Sequence, residues 1–308
     1  MIDASGIKPG SWEAWKISFR PKTLGIALAP VFVGISAAFS VTGHLDVLIA
    51  FITAIVAAGV QALSNMENDV GYTKRKAERS NRKGLPRATS LGLLTCEQVD
   101  RAILITGLLI LLLSCMLVFI GGWGIVVLGA ASIAAAYLYM GGPKPIAYTP
   151  YGELTVFIFF GIIAVNGTYY LQTGGISLIS IAFGAACGAI ASGVLAVNNR
   201  RDMAHDASVG RNTLAVVLGK RRMTRLYLYM LLSPFAIVLL TVTLEPRHFF
   251  YLISFAPILN VKPLYQDFKQ KEGVDLNNTL FGTVQLEVKF AFSLTAGALL
   301  DAAWCWYL

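Results

Sequence analysis

The sequence predicts an all-α, polytopic membrane protein with about nine transmembrane helices around a central cavity, and three features carry that expectation. The first is composition. Of 308 residues, 56% are hydrophobic and 14% charged, and the mean hydropathy is +0.65, far outside the range of soluble globular chains. The second is spacing: a helix needs about 20 apolar residues to cross a hydrocarbon core about 30 Å thick. Runs of that kind recur at 23–41, 47–66, 101–120, 123–141, 154–172, 177–198, 223–243, 248–262 and 288–308, the eighth being the shortest. The third is charge. With the N-terminus inside, all of the 25 Lys and Arg residues except Arg247 fall on the inner side, as the positive-inside rule requires. The net charge of +8 therefore reads as topology and attraction to anionic lipid, and not as nucleic-acid binding.

Taken in order, the first twenty or so residues carry Trp12, Glu13, Trp15 and Lys16 in an amphipathic pattern. That pattern reads as a helix lying on the membrane surface, not as a cleavable leader. The second span runs into a polar cluster, Asn65, Glu67, Asn68 and Asp69, and the chain then turns strongly basic. The outer connections (42–46, 121–122, 174–175 and 245–247) are short, whereas the inner loops after the second and sixth spans are long and charged. Function is expected on the inner face. The inner loop at 141–153 holds three prolines, three glycines and two tyrosines, so it cannot be regular helix. It ends in Glu153 beside Phe157, Phe159 and Phe160, and reads either as a plain turn or as the lining for a flat substrate.

The two long inner loops resemble each other. The second span ends Asn65-x-x-x-Asp69 and the sixth ends Asn198-x-x-x-Asp202, with Asp206 four residues on. Each is followed by a basic, Gly-containing segment, 84–89 and 210–213. Positions i and i+4 share a helix face, so two polar stripes at equal depth can face one another across a cavity. The chain is then one membrane domain, 1–308, with pseudo-repeat halves at roughly 12–141 and 142–308. The four cysteines form no CxxC, and His44, His205 and His248 make a poor catalytic set.

Mg²⁺ takes oxygen ligands and commonly bridges carboxylates to substrate phosphates. Asp69, Asp202 and Asp206, with Asn65, Asn68 and Asn198 beside them, supply such oxygens at the mouth of an apolar cavity. Lys22, Lys76, Arg82, Arg87, Arg201 and Arg211 can neutralise a diphosphate directly. An anionic head held at the mouth and a hydrocarbon tail in the bilayer describe a polyprenyl diphosphate. Stabilised departure of pyrophosphate leaves an allylic cation that an electron-rich aromatic ring attacks. The competing class is a transporter or lipid-binding membrane protein, since intramembrane polar residues and repeats also occur there.

These residues resemble the UbiA superfamily of intramembrane prenyltransferases, and within it the 1,4-dihydroxy-2-naphthoate polyprenyltransferases. The resemblance runs through Arg20-Pro-Lys22-Thr, Ser64-Asn65-x-x-Asn68-Asp69, Gly84-x-Pro-Arg87, Gly141-Gly-Pro-x-Pro with Gly152-Glu153, and Phe159-Phe160-Gly161. It continues through Gly167-Thr-Tyr-Tyr and Asn198-Asn-x-Arg-Asp202-x-x-x-Asp206 into Gly210-x-x-Thr213-Leu. It implies nine helices around a central cavity in the bacterial inner membrane, with N-terminus and site cytoplasmic. It also implies Mg²⁺-dependent transfer of a polyprenyl group to an aromatic acceptor, 1,4-dihydroxy-2-naphthoate or similar, giving demethylmenaquinone. The expected catalytic residues are Asp69, Asp202 and Asp206, with Glu78 joining them as metal ligands. Tyr148 and Glu153 are expected on the substrate with the asparagines and cations above.

One departure stands out. Where the family's first acidic motif continues with a second Asp, this chain has Tyr72, and a further Asp is replaced by Glu78. The reading that keeps prenyl transfer stands beside two others, a changed acceptor and a scaffold that has lost the reaction.

Overall fold

In a computed structural model of the chain, which describes residues 6–76 and 84–307, every regular element among the described residues is helical. In order these are α1 (Trp12–Phe19), α2 (Gly25–Thr42), α3 (Val47–Lys74), α4 (Cys96–Met140), α5 (Gly152–Val156) and a π-helical segment (Phe157–Ile163). There follow α6 (Ala164–Thr173), α7 (Leu178–Ser208), α8 (Leu214–Leu244), a run of 3-10 turns (Pro246–Asn260), α9 (Val261–Gln270) and α10 (Leu276–Tyr307). Side-chain caps set the starts: Asp46 accepts from the Ile49 amide, and Thr95 with Gln98 and Ser177 with Ser180 form capping boxes for α4 and α7.

Six stretches among the described residues are long and apolar enough to cross a membrane, one of them the 45-residue α4. An unbroken helix of that length would measure about 68 Å, twice a bilayer. It is broken at Gly122, where φ is 61° and ψ −157°, a conformation that glycine alone adopts without strain. Both ends of α4 return to the end of α3. Lys74 Nζ lies 2.8 Å from Asp100, and Arg75 Nε donates to the Met140 carbonyl at 3.1 Å. The helix is thus a hairpin whose arms are the expected third and fourth spans. The shortest expected span, 248–262, is not a continuous α-helix: it falls in 3-10 turns interrupted at His248 and carrying Pro257, which lacks the amide an α-helix needs.

The centre of the bundle is α7, whose neighbours are α8, α10, α2 and the π-helical segment. Between apolar helices in lipid no hydrophobic force acts, so close backbone packing and hydrogen bonds hold them. Glycine provides the first. A Cβ on Gly161 would lie 2.4 Å from Gly188 Cα, and one on Gly188 would lie 2.5 Å from the Phe157 carbonyl. Ser36 with Thr295, Asn166 with Ser180 and Tyr227 with Thr283 supply interhelical hydrogen bonds of 2.7–2.8 Å, each worth about 0.6 kcal/mol in membranes. Outward-facing side chains such as Phe119 (90% exposed) and Trp123 (83%) have no protein to cover them. The chain is an integral membrane protein. Its amphipathic α1 lays Ala14 and Ile17 on Met66 and Val70 near the basic end of α3, with Trp12 exposed.

Candidate active site

A cavity of about 340 Å³ runs between α2, α3, α4, the π-helical segment, α6 and α7. One end is apolar, walled by Leu117, Ile125 and Leu171; the other meets Asn65, Asn68, Tyr72 and Asn198. The charged side chains that line it, among the described residues, are three arginines: Arg20, Arg87 and Arg211. No carboxylate does. A low-dielectric pocket with guanidinium groups at its mouth suits an anionic head group continued by a hydrocarbon tail.

The end of α3 supplies the first wall. Asn65 donates to the Phe19 carbonyl (2.9 Å) and to Thr23 Oγ1 (3.1 Å), fixing the turn from α1 to α2 while its side chain lines the cavity. Asp69 is fully buried, and its Oδ1 accepts from the amide (3.3 Å) and hydroxyl (2.9 Å) of Thr89. Its Oδ2 is buried with no hydrogen-bond partner among the described residues. Three residues on, Tyr72 is 3% exposed and its ring lies under the Arg87 guanidinium, 3.6 Å from the centroid. Its hydroxyl accepts from Arg211 Nη1.

The end of α7 carries two arginine-paired carboxylates. Arg201 donates to both oxygens of Asp202 (3.1 and 2.7 Å) and also to Asn198 and Asn277, tying α7 to α10. Arg211 Nη1 donates to Asp206 Oδ1 at 2.7 Å, and its Nε donates to the Ala147 carbonyl at 3.1 Å. Burial lowers the Arg211 guanidinium from its ordinary value to about 10.

The loop at 141–153 closes over this end and is irregular apart from one 3-10 turn at Ile146–Tyr148, as its prolines and glycines require. Arg75 and Arg211 both lie over the Tyr148 ring, at 5.9 and 5.4 Å, and burial raises the Tyr148 hydroxyl above its usual range. Glu153, 2% exposed, accepts from Asn199 Nδ2 at 3.0 Å through Oε1, while Oε2 has no partner among the described residues. Phe159 and Phe160 line the cavity from the π-helical segment; π-helical turns often mark functional sites.

Of the residues expected from sequence, Asn65, Asn68, Arg87, Asn198 and Arg211 line the cavity. Asp206 and Tyr148 reach its edge through Arg211. Asp69, Asp202, Arg201 and Glu153 stand behind the wall. Lys22 lies away from it, exposed, with its ammonium 5.8 Å over the Phe281 ring, and Lys76 is exposed at the end of α3. Glu78 and Arg82 fall outside the described residues. Sequence reasoning missed Arg20 and Tyr139, both of which line the cavity. Arg20 belongs to the Arg-Pro-Lys-Thr motif; its backbone is left-handed (φ 53°), and it, not Lys22, lines the cavity.

A divalent cation needs oxygen donors. Asp69 Oδ2, buried and unpartnered among the described residues, is such an oxygen. No three His, Cys, Asp or Glu side chains converge among the described residues. Mg²⁺ usually keeps waters and takes one or two carboxylates plus substrate phosphates. The donor set fits an ion that shares its ligands with a bound diphosphate.

The UbiA prenyltransferase family model matches residues 27–282 of the chain. This protein belongs to the UbiA prenyltransferase family. Its relatives include the 1,4-dihydroxy-2-naphthoate octaprenyltransferase of Escherichia coli (strain K12), 37% identical over 72% of this chain and 73% of that protein. The enzyme of that name from Bacillus subtilis (strain 168) is 27% identical over 93% and 92%. Among solved structures, a UbiA homolog from Archaeoglobus fulgidus bound to DMAPP and Mg²⁺ aligns with a TM-score of 0.61 at 14% identity, covering 94% of this chain and 99% of that one. The apo UbiA homolog from Aeropyrum pernix K1 gives 0.66, also at 14%, over 92% and 98%. The fold is therefore the family's, and the chain is a prenyltransferase.

Proposed function

We propose that this prenyltransferase moves a polyprenyl group from polyprenyl diphosphate to 1,4-dihydroxy-2-naphthoate, with Mg²⁺, giving the reduced form of demethylmenaquinone. The observation that carries the reading is the cavity: three arginines and no carboxylate among its described lining residues, continued by an apolar sleeve. That shape fits an anion with a long hydrocarbon tail. The acceptor is taken from relatives named for it, in Escherichia coli, Mycobacterium tuberculosis and Bacillus subtilis. The charge pattern supports a bacterial inner-membrane location with N-terminus and site on the cytoplasmic side.

In this reading Arg87, Arg211 and Arg20 hold the diphosphate, and Asn68 and Asn198 orient it. Asp69, through Oδ2, is the carboxylate that would hold the cation together with the diphosphate itself, and the cation, when bound, would neutralise the departing pyrophosphate; Asp202 and Asp206 hold Arg201 and Arg211 in place. The allylic C–O bond breaks toward pyrophosphate, and the aromatic carbon bearing the carboxyl group takes the prenyl carbon. The carboxyl group leaves as carbon dioxide, which balances the step. Phe159, Phe160 and Tyr139 keep water from the allylic cation, and the loop carrying Tyr148 with Glu153 positions the flat acceptor.

The test is direct. Purified protein supplied with geranylgeranyl diphosphate, 1,4-dihydroxy-2-naphthoate and Mg²⁺ should release pyrophosphate and yield the prenylated, decarboxylated naphthalene by mass spectrometry. Pyrophosphate release only with a different aromatic acceptor would displace the naphthoate from this account.

A further inference from the structure

Arg200 fills the open position of the Asn-Asn-x-Arg-Asp motif and, unlike Asn198, does not line the cavity. Gly193 of α7 packs against Tyr227 and Leu231 of α8, so Arg200, two turns further on, lies beside the first turn of α8 after its break at Gly219. It is 5% exposed, yet its Nε and Nη2 have no hydrogen-bond partner among the described residues. Its ion-pair partner is Glu272, on the loop after α9, at 3.6 Å and so beyond hydrogen-bond length. That carboxylate is exposed and already held by Lys220 at 2.5 Å. Buried donors are almost always satisfied in native proteins, and two on one charged group call for an acceptor that carries negative charge.

The surface next to Arg200 has the layout of an amphiphile. Lys220, Arg221 and Arg225 are exposed on the first turns of α8 beyond the break, and neither arginine has an ion pair among the described residues. Further along the same helix Tyr229, Leu232 and Leu239 are exposed as well. Steps of three and four from position 225 keep these side chains on one helix face. A cationic end followed by an apolar stripe matches a phospholipid, anionic at its phosphate and apolar along its acyl chain. The positive-inside rule accounts for exposed cations on this side of the membrane. It gives no reason to bury a guanidinium with two idle donors.

We infer that Arg200, with Lys220 beside it, is a binding site for the phosphate of an anionic membrane phospholipid, whose acyl chain lies along the Tyr229–Leu239 face of α8. Glu272 touches both cations and is the carboxylate that the phosphate displaces, so it sets the affinity. On α7 the site is flanked by Asn199, which donates to Glu153, and by Arg201, which holds Asp202. A lipid bound at Arg200 therefore also steadies the end of α7 that borders the cavity. The inference is independent of the reaction proposed above.

The experiment is native mass spectrometry of the full-length protein in mild detergent, titrated with dioleoylphosphatidylglycerol or with dioleoylphosphatidylcholine. The wild type should hold one phosphatidylglycerol about tenfold or more tightly than phosphatidylcholine, and Arg200→Gln should lower that ratio by about fivefold to tenfold. Lys220→Gln, at an exposed position, should lower it about threefold, and Glu272→Gln, which removes the competing carboxylate, should raise it about threefold. These two surface variants decide the matter even where Arg200→Gln fails to fold. A purely structural role for Arg200 weakens both lipids alike and leaves the ratio unmoved, which overturns the site. Equal retention of the two lipids by the wild type overturns it, and so does a ratio that stays put in both Lys220→Gln and Glu272→Gln. Displacement of phosphatidylglycerol by inorganic phosphate would mark a soluble-anion site and overturn the lipid assignment.

Discussion

The ends of α3 and α7 start from one pattern, Asn-x-x-x-Asp, and then part. On α7, Asp202 and Asp206 each meet a guanidinium, Arg201 and Arg211, so that end is a set of buried ion pairs. On α3, Asp69 is held by Thr89, and the next polar group on that face is the neutral Tyr72. The two ends meet all the same, because Arg211 donates both to Tyr72 of α3 and to Asp206 of α7. A shared arginine joins them. The lesson is that loss of one acid from a facing pair need not open the site: a cation already present for one carboxylate can be shared with a phenol, at less cost than leaving it unpaired.

The largest expected effect tests the α7 end. Asp202→Ala leaves Arg201, whose side chain is 1% exposed, without its bidentate partner, and should lower thermal stability by about 3–5 kcal/mol as well as transfer by about a thousandfold. Asp202→Asn in the same transfer and melting assays separates the two, since it should recover part of the stability and little of the rate. Next comes the shared arginine. Both Arg211→Ala and Arg211→Lys should cut kcat/KM by roughly ten- to a hundredfold, because an ammonium cannot reproduce the planar fork. Losses no greater than those of Lys22→Ala would show that the two ends act separately.

A smaller effect sharpens the contrast from the α3 side. Asp69→Asn removes the charge behind Oδ2, which has no partner among the described residues, and should raise the Mg²⁺ concentration for half-maximal turnover by about tenfold. The smallest effect concerns the surface pair next to Arg201. Glu272 is exposed and pairs with Lys220 and Arg200. Its carboxyl is held below the ordinary value, first by the Lys220 hydrogen bond. The link is therefore present above the usual glutamate range and lost as pH falls through the lowered value. Glu272→Gln should copy the acid form and shift the melting temperature by about 1 °C or less at pH 7.

Much of the fold was legible because lipid leaves the chain few choices. Backbone groups in the bilayer must bond within a helix, so apolar runs and basic loops mark spans and sides. The α4 hairpin could be placed from Gly121 and Gly122 for the same reason. The 3-10 turns of Pro246–Asn260 were not foreseen, since hydropathy reports burial in lipid and is blind to helix type. At the site, the asparagines and Arg87 and Arg211 were found because their motifs repeat. Arg20 was passed over for Lys22, which stands two residues away in the same motif and carries the same charge.

The order and number of apolar runs, the side bearing charge, the paired Asn-x-x-x-Asp ends and the tyrosine at position 72 were all fixed by the chain itself, as linear facts about residue type and spacing. Which of those residues look into the cavity was decided only in three dimensions. Lining depends on helix rotation, which leaves no local signal. The meeting of Tyr72 with Arg211 spans 139 positions of sequence. It exists because α3 and α7 enclose the same space, and contacts so remote are set by packing, not by propensity.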